Sequence, residues 1–469
     1  MESEKESRYQ QELSRSVGVL GNIAITVSAV TPASSVFIIV PFIVLTAGTG
    51  SFLALVFAAV IGVFMSFCWA ELSARYPIAG GDYALVWHAF KGRAARLGGP
   101  YSFVTFALLL SQIAFIPAVI ALGTAQYLGA VWTTDPETTA AVVTLACATM
   151  AILNIRLNAR VTSVFLVIEL LALAVLFVLG LVNLDADRFG HLLSGWQIGN
   201  ADGGLDPVTF GTILTATSVA VFAYNGYQGS VLFSEETRGH SRNIAVAIIW
   251  SLVITVVAEL LPTTAVLLGT PDLAATTTSV TPMSDFIVAE SSSALNKAVS
   301  IGIAIAIINA VIAIILQFGR ILYSSGRDRA WGPLSPYAAA VHPRLRTPWL
   351  ATAFIGVLGA VLCLTVSLND LIVLTGASLV ANYALVAIAA IVGRATGATS
   401  DSPYRMPLWP LPPLAAIAAL GYVATQQTAK ALWVTGITIL IGLVYWAVVI
   451  FPQRGKAWDL KDPVFDRVD

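Results

Sequence analysis

The sequence predicts an all-α polytopic membrane protein of twelve transmembrane helices, with a core of two inverted five-helix repeats and two further helices after it. Three observations predict it. Charged residues make up 11% of the 469 and hydrophobic residues 57%, with a mean hydropathy of +0.83; a soluble domain carries about 25% charge. The apolar residues come in long, nearly charge-free runs, each long enough to cross a bilayer. Two of these runs, the first and the sixth, are interrupted at mid-length by Pro, Gly and small polar residues.

Residues 1–16, MESEKESRYQQELSRS, are polar and carry both signs of charge, unlike a signal peptide, and read as an N-terminal tail. Apolar runs follow at 17–47, 51–74, 98–131, 137–157, 161–183, 209–234, 244–268, 294–323, 349–367, 370–393, 411–429 and 432–452. They group into a first repeat at 17–183, an extracellular loop at 184–208 and a second repeat at 209–393. Helices 11 and 12 fill 394–452, and a C-terminal tail occupies 453–469.

Basic residues set the orientation. Of 25 Lys and Arg, only Arg188, Lys297 and Lys430 fall on one face, and the other 22 fall on the face that carries both tails. The expectation is a cell-membrane protein with both termini cytoplasmic.

The same composition excludes other classes. Cys68, Cys147 and Cys363 lie inside apolar runs, and no Cys/His cluster suits a metal. No cofactor is expected, and no basic, aromatic-interleaved patch suits nucleic acid. Alternating ten-residue segments of a β-barrel are missing, and the loops are too short for a folded receptor domain. A lipid-modifying enzyme would need clustered Asp, His or metal ligands at one interface, and a channel a continuous polar pore. A transporter fits best, with lipids and a small solute as its partners.

The first break reads Ser28-Ala29-Val30-Thr31-Pro32-Ala33-Ser34-Ser35. Pro32 lacks an N–H and opposes a continuous helix. Either the helix kinks against a neighbour, or it unwinds, with a new helix beginning at Ser35 or Val36 whose free N–H groups bind an anion. The second break, Phe222-Ala223-Tyr224-Asn225-Gly226-Tyr227-Gln228-Gly229, sets two Gly, an Asn and a Gln in an apolar span. It is a second unwound site, or close packing through small residues. Runs 1 and 6 are corresponding members of two five-helix halves, so the pair points to an inverted-repeat transporter with a midplane site.

With these residues in view, the chain resembles the amino acid–polyamine–organocation superfamily, and within it the prokaryotic amino acid permeases. The likeness rests on AELSARYPIAGGDYALV after run 2, FAYNGYQG followed by SEET in run 6, and GRILYSSGRDRAWGPLSPYAAAVHPRLRTP after run 8. It implies that N–H groups around Thr31, Ala33, Ser34, Ser35 and Val36 receive a substrate carboxylate. Carbonyls near Phe222, Ala223, Asn225 and Gly226 would receive its ammonium, with Phe222 a gate or pocket wall. Tyr227 and Gln228 are placed at the gate, and a neutral Gln228 disfavours a guanidinium substrate. One departure is Ala33-Ser34-Ser35 where the family has Gly-x-Gly. It narrows the backbone angles there and keeps an amine or polyamine substrate open.

Glu169 is the one ionisable residue of run 5 past its first arginine, roughly 13 Å deep at 1.5 Å per residue. It is the candidate proton carrier, because a carboxyl at that depth is costly unless neutral, paired or wet. Glu259 in run 7 competes for the role. Residues 301–320 of run 8 offer Asn309 and Gln317 but no Ser or Thr for a sodium cage, which favours protons. Asn309 either lines the substrate pocket or packs against another helix. Together these expectations describe proton-coupled uptake of a small amino acid by a monomer or homodimer, with exchange and amine import as the rivals.

Overall fold

The computed structural model describes residues 17–129, 135–153, 155–458 and 460–462; the N-terminal tail, 459 and 463–469 of the C-terminal tail, and the side chains of 126, 127, 129 and 155–162 lie outside them. Among the described residues, each of the twelve apolar runs is helical. Span 1 comprises Val19–Val30, Pro32–Ser34, a π-helical turn Ser35–Ile39 and Val40–Ala47. Spans 2 to 5 are Ser51–Arg75, Ala95–Gly129, Pro136–Leu153 and Ile155–Val182. Span 6 is Phe210–Ala223 followed by a 3-10 segment Tyr227–Glu236, and spans 7 and 8 are Arg242–Gly269 and Ser293–Arg327. Spans 9 to 12 are Trp349–Thr365, Leu368–Ala395, Leu411–Thr425 and Ala429–Tyr445, the last continued by a π turn to Ile450. Spans 9 and 11, at 17 and 15 residues, are the shortest unbroken ones.

The packing repeats between the halves. Span 2 lies on span 7, span 3 on span 8 and span 4 on span 9. Span 5 touches spans 1 and 8 as span 10 touches spans 6 and 3. Five helices per half is an odd number, so the second half enters the membrane from the opposite face, which makes the repeat inverted. Leu171 and Ile441, 61% and 62% exposed, belong to an outward apolar belt that water would penalise and lipid tails accept.

Both breaks follow from local sequence. Thr31 has φ 55°, left-handed for a residue with a β-branched side chain, and its N–H still donates to Val27 C=O. Pro32 then starts the next helix, where a missing N–H costs nothing. The helix therefore resumes at Pro32, three residues before the expected start at Ser35, because a single left-handed residue suffices to turn the chain. In span 6 the α-helix ends at Ala223, and Gly226 at φ 117° turns the chain into the 3-10 segment; a Cβ there would lie 3.1 Å from Val30. The two breaks thus touch.

Spans 5 and 7 approach backbone to backbone: a Cβ on Gly180 would lie 2.5 Å from the Ala265 backbone. On the basic face Glu71 accepts from Arg394 at 2.7 and 2.6 Å, Thr399 Oγ1 at 3.0 Å and Met406 N–H at 2.8 Å. This one carboxylate ties span 2 to span 10 and the following loop. On the opposite face a hairpin of Gln197–Gly199 and Leu205–Pro207 caps the bundle. Its Gln197 N–H donates to Thr49 Oγ1 and its Gly199 N–H to Thr277 Oγ1.

Candidate functional site

A cavity of about 60 Å³, room for about four waters, lies between the breaks. Span 1 contributes Ala29, Val30, Ser35 and Ile39 to its wall, and span 6 contributes Phe222, Ala223, Asn225, Gly226, Gln228, Gly229 and Leu232. Spans 3 and 8 close the other side with Leu109, Gln112, Ile116, Ile120, Ile314, Gln317, Phe318 and Ile321, and Gly81 and Asp82 form the end toward the basic face. Of the residues expected from sequence, Ser35, Phe222, Ala223, Asn225, Gly226 and Gln228 are therefore brought together here.

The others lie off the wall. Tyr227 points toward span 2, where its O–H donates to Gly62 C=O at 3.4 Å and its ring meets Trp69 edge-on. Val36 is buried in the core. Asn309 is buried on span 8 with neither amide atom hydrogen-bonded.

The first break is joined to span 5 by an acid. Glu169 Oε1 accepts from Thr31 Oγ1 at 2.8 Å and from the Ala33 N–H at 2.9 Å, at the positive end of the resumed helix. Its Oε2 has no partner, nor does the nearby Ser34 hydroxyl on the same turn. The donors that sequence assigned to one ligand are thus divided: Thr31 and Ala33 face Glu169, and Ser35 faces the cavity. The Ser35 hydroxyl donates to Ala223 C=O at 2.8 Å and so bridges the two breaks. Glu259 lies behind that bridge, beside Ser35 and within electrostatic reach of Glu169. It is fully buried, with both carboxyl oxygens unpartnered. Tyr224, near Glu259, also has a buried hydroxyl without a partner.

Asn225 and Gln228 satisfy each other. Gln228 Nε2 donates to Asn225 Oδ1 at 2.9 Å, Tyr383 O–H donates to the same oxygen at 3.0 Å, and the Gly226 N–H donates to Gln228 Oε1 at 3.1 Å. This network fixes the second break. Sequence reasoning missed Asp82 and Gln112 as wall residues and did not place Gln317 in the pocket. Asp82 is held by Trp69 Nε1 at 2.6 Å and Asn382 Nδ2 at 2.7 Å. A lone Gln within the apolar LLLSQIAF of span 3 was the available signal for Gln112.

The basic end of the cavity is closed by ion pairs. Arg320 meets Glu236 at 2.7 Å and Arg327 meets Glu235 at 3.1 Å, and Glu235 also accepts from the Ala79 N–H. Span 8 thus supplies a partner to each of these two acids.

Broken helices meeting around an internal cavity inside an inverted repeat define a transporter rather than an enzyme. The sequence pattern of the amino acid permease family matches residues 17–460, and the chain belongs to that family, within the amino acid–polyamine–organocation superfamily. It is 28% identical to an uncharacterized transporter of Mycobacterium tuberculosis, over 80% of this chain and 79% of the relative. It is 21% identical to the branched-chain amino acid permease BcaP of Bacillus subtilis, over 95% of this chain and 94% of that one. A mouse b(0,+)-type amino acid transporter 1 is 23% identical, over 96% and 91%. The protein is a multi-pass membrane transporter of the amino acid type.

Proposed function

We propose that the protein imports a small amino acid together with a proton across the cell membrane by alternating access, with both termini cytoplasmic. The observation that carries this reading is the Glu169 carboxyl, bonded through one oxygen to Thr31 and Ala33 at the first break and unpartnered at the other. Ionised, Glu169 holds span 5 to the positive end of the resumed helix by charge-assisted hydrogen bonds. Protonated, it loses the charge that makes those bonds strong, and span 1 is released to move against span 5. A proton on Glu169 is thereby coupled to the conformation of the break that faces the substrate.

The substrate ammonium takes the carbonyls of Phe222 and Ala223, which requires the Ser35–Ala223 bridge to open. The freed Ser35 hydroxyl, with the N–H groups of its turn, turns to the substrate carboxylate. The absence of Ser and Thr between Ser300 and Ser324 of span 8 supports a proton over sodium. The cytoplasmic assignment of the termini rests on the 22-to-3 distribution of basic residues. One observation favours amine import as a second reading: the Asp82 carboxylate on the cavity wall suits a cationic group.

Uptake into proteoliposomes tests the proposal. Accumulation of a labelled amino acid into empty vesicles, raised by an inward proton gradient and lost in Glu169→Gln, supports it. Uptake only into vesicles preloaded with amino acid means exchange, and uptake only of putrescine means an amine permease.

A further inference from the structure

We infer that Gln112 and Gln317 form a side-chain subsite that selects amino acids whose side chain ends in an uncharged hydrogen-bonding group, an amide or a hydroxyl, over branched aliphatic ones. The inference rests on the amino acid reading above and names its substrate class. Both residues lie on the cavity wall, and both are buried, 2% and 5% exposed. The Nε2 of each has no hydrogen-bond partner. Buried polar groups without partners are rare in native proteins, and two on one wall of one cavity call for an explanation.

The four amides on the wall behave differently. Asn225 and Gln228 are consumed by each other, Tyr383 and the Gly226 N–H, so they brace the break. Gln112 and Gln317 brace nothing through Nε2. Each is the polar member of an otherwise apolar helix face: Leu109 and Ile116 flank Gln112 at i−3 and i+4, and Ile314 and Ile321 flank Gln317 in the same way. An apolar side chain at either position would continue the stripe without leaving a donor unpaired. Span 6 also makes room for one of them, since a Cβ on Gly229 would lie 2.5 Å from Gln317 Nε2. The amide end therefore occupies the groove that this glycine leaves open.

Charge narrows the class further. No Lys, Arg or His lies among the described wall residues, so a second carboxylate on the substrate would find no counter-charge. The wall's one charged group, Asp82, already accepts from Trp69 and Asn382. An amide or hydroxyl can donate or accept as an amide partner turns, so it suits either glutamine. A leucine or valine side chain would bury them unpaired, and sites that hydrogen-bond their substrate discriminate strongly against analogues lacking the group.

The test is uptake by the full-length protein in proteoliposomes, with labelled glutamine, serine, leucine, valine, glutamate and putrescine compared in the wild type, Gln112→Leu and Gln317→Met. Melting in detergent serves as the folding control. The expected result is that glutamine or serine is taken up with an apparent affinity about tenfold or more above that for leucine and valine. The polar-to-aliphatic ratio should fall about tenfold in each variant. Should a variant fail to fold, the wild-type ratio and the other variant still decide. A wild type that prefers leucine, valine or glutamate overturns the subsite, as does a polar preference kept by folded variants. In both cases amino acid transport itself stands. Uptake of putrescine alone instead overturns the amino acid reading, and the subsite with it.

Discussion

Replacing Glu236 by Gln removes one half of the ion pair that joins the end of span 6 to span 8 on the basic side of the cavity. Both partners are buried, with 5% exposure each, and the Arg320 Nε–Glu236 Oε1 distance is 2.7 Å. Leu232 and Ile321, within a turn of the pair, line the cavity. Breaking a buried pair by removing one partner costs about 3–5 kcal/mol. Arg320 keeps its bond to Leu316 C=O at 2.8 Å and its place over the Phe233 ring, which puts the cost at the lower end. About 3 kcal/mol is roughly a hundredfold in an equilibrium constant. A bundle closed on this side in 99 of about 100 molecules would thus open in about half of them. The assay is the labelling rate of Leu232→Cys by a membrane-impermeant maleimide applied from the basic side. The three native cysteines are buried and do not compete. Labelling at least about tenfold faster in the Glu236→Gln background is expected. Equal rates would refute the reading that this pair holds the basic end of the cavity closed.

Other consequences follow from single contacts. Glu71→Gln, which leaves Arg394 without its carboxylate and sets an amide N–H₂ against four donors, should destabilise by about 3–5 kcal/mol. The drop in melting temperature in detergent checks it, and Glu71→Leu with Arg394→Met should recover most of the loss. His88, between spans 2 and 3, is pushed down from 6.5 to about 4, first by burial, with Lys91 and Arg75 adding to it and Asp462 opposing. The unfolded state therefore binds the proton more readily between those values. The contribution of His88 to stability should be constant above pH 6.5 and be lost as the pH falls toward 4. Thermal melting in detergent across that range reads the slope, which His88→Gln should flatten. Gly180→Val places atoms within the Ala265 backbone and should prevent spans 5 and 7 from packing; loss of a monodisperse protein in detergent is the expected outcome.

The architecture was legible because a bilayer permits few solutions: charge-free runs count the helices, and odd-numbered halves with matching breaks give the inverted repeat. The position of the first break was legible from Pro32, but its form was not. Nothing in the sequence says that Thr31 would take the left-handed turn alone, so the helix starts earlier than Pro32-Ala33-Ser34 suggested. Which residues of span 1 meet Glu169 was equally hidden, since depth in span 5 says nothing about the register between the two helices, and Thr31 lies 138 positions away. Asp82 was visible within its motif, yet its restraint comes partly from Asn382, 300 positions along the chain. Gln112 went unread because a single amide in an apolar helix carries no periodicity, and its place on the cavity wall emerges only once spans 3 and 8 are packed against the breaks.

The central claim is that one carboxyl, Glu169, carries one proton per substrate. The steady-state accumulation of the preferred labelled amino acid in empty proteoliposomes, measured against the imposed pH difference with membrane potential clamped at zero, tests it most directly. One proton per substrate predicts about a tenfold accumulation per pH unit, falling to no accumulation in Glu169→Gln while that variant still exchanges labelled for unlabelled substrate. Accumulation in Glu169→Gln that still follows the gradient would contradict it, and a slope of about a hundredfold per unit would mean that Glu259 carries a second proton.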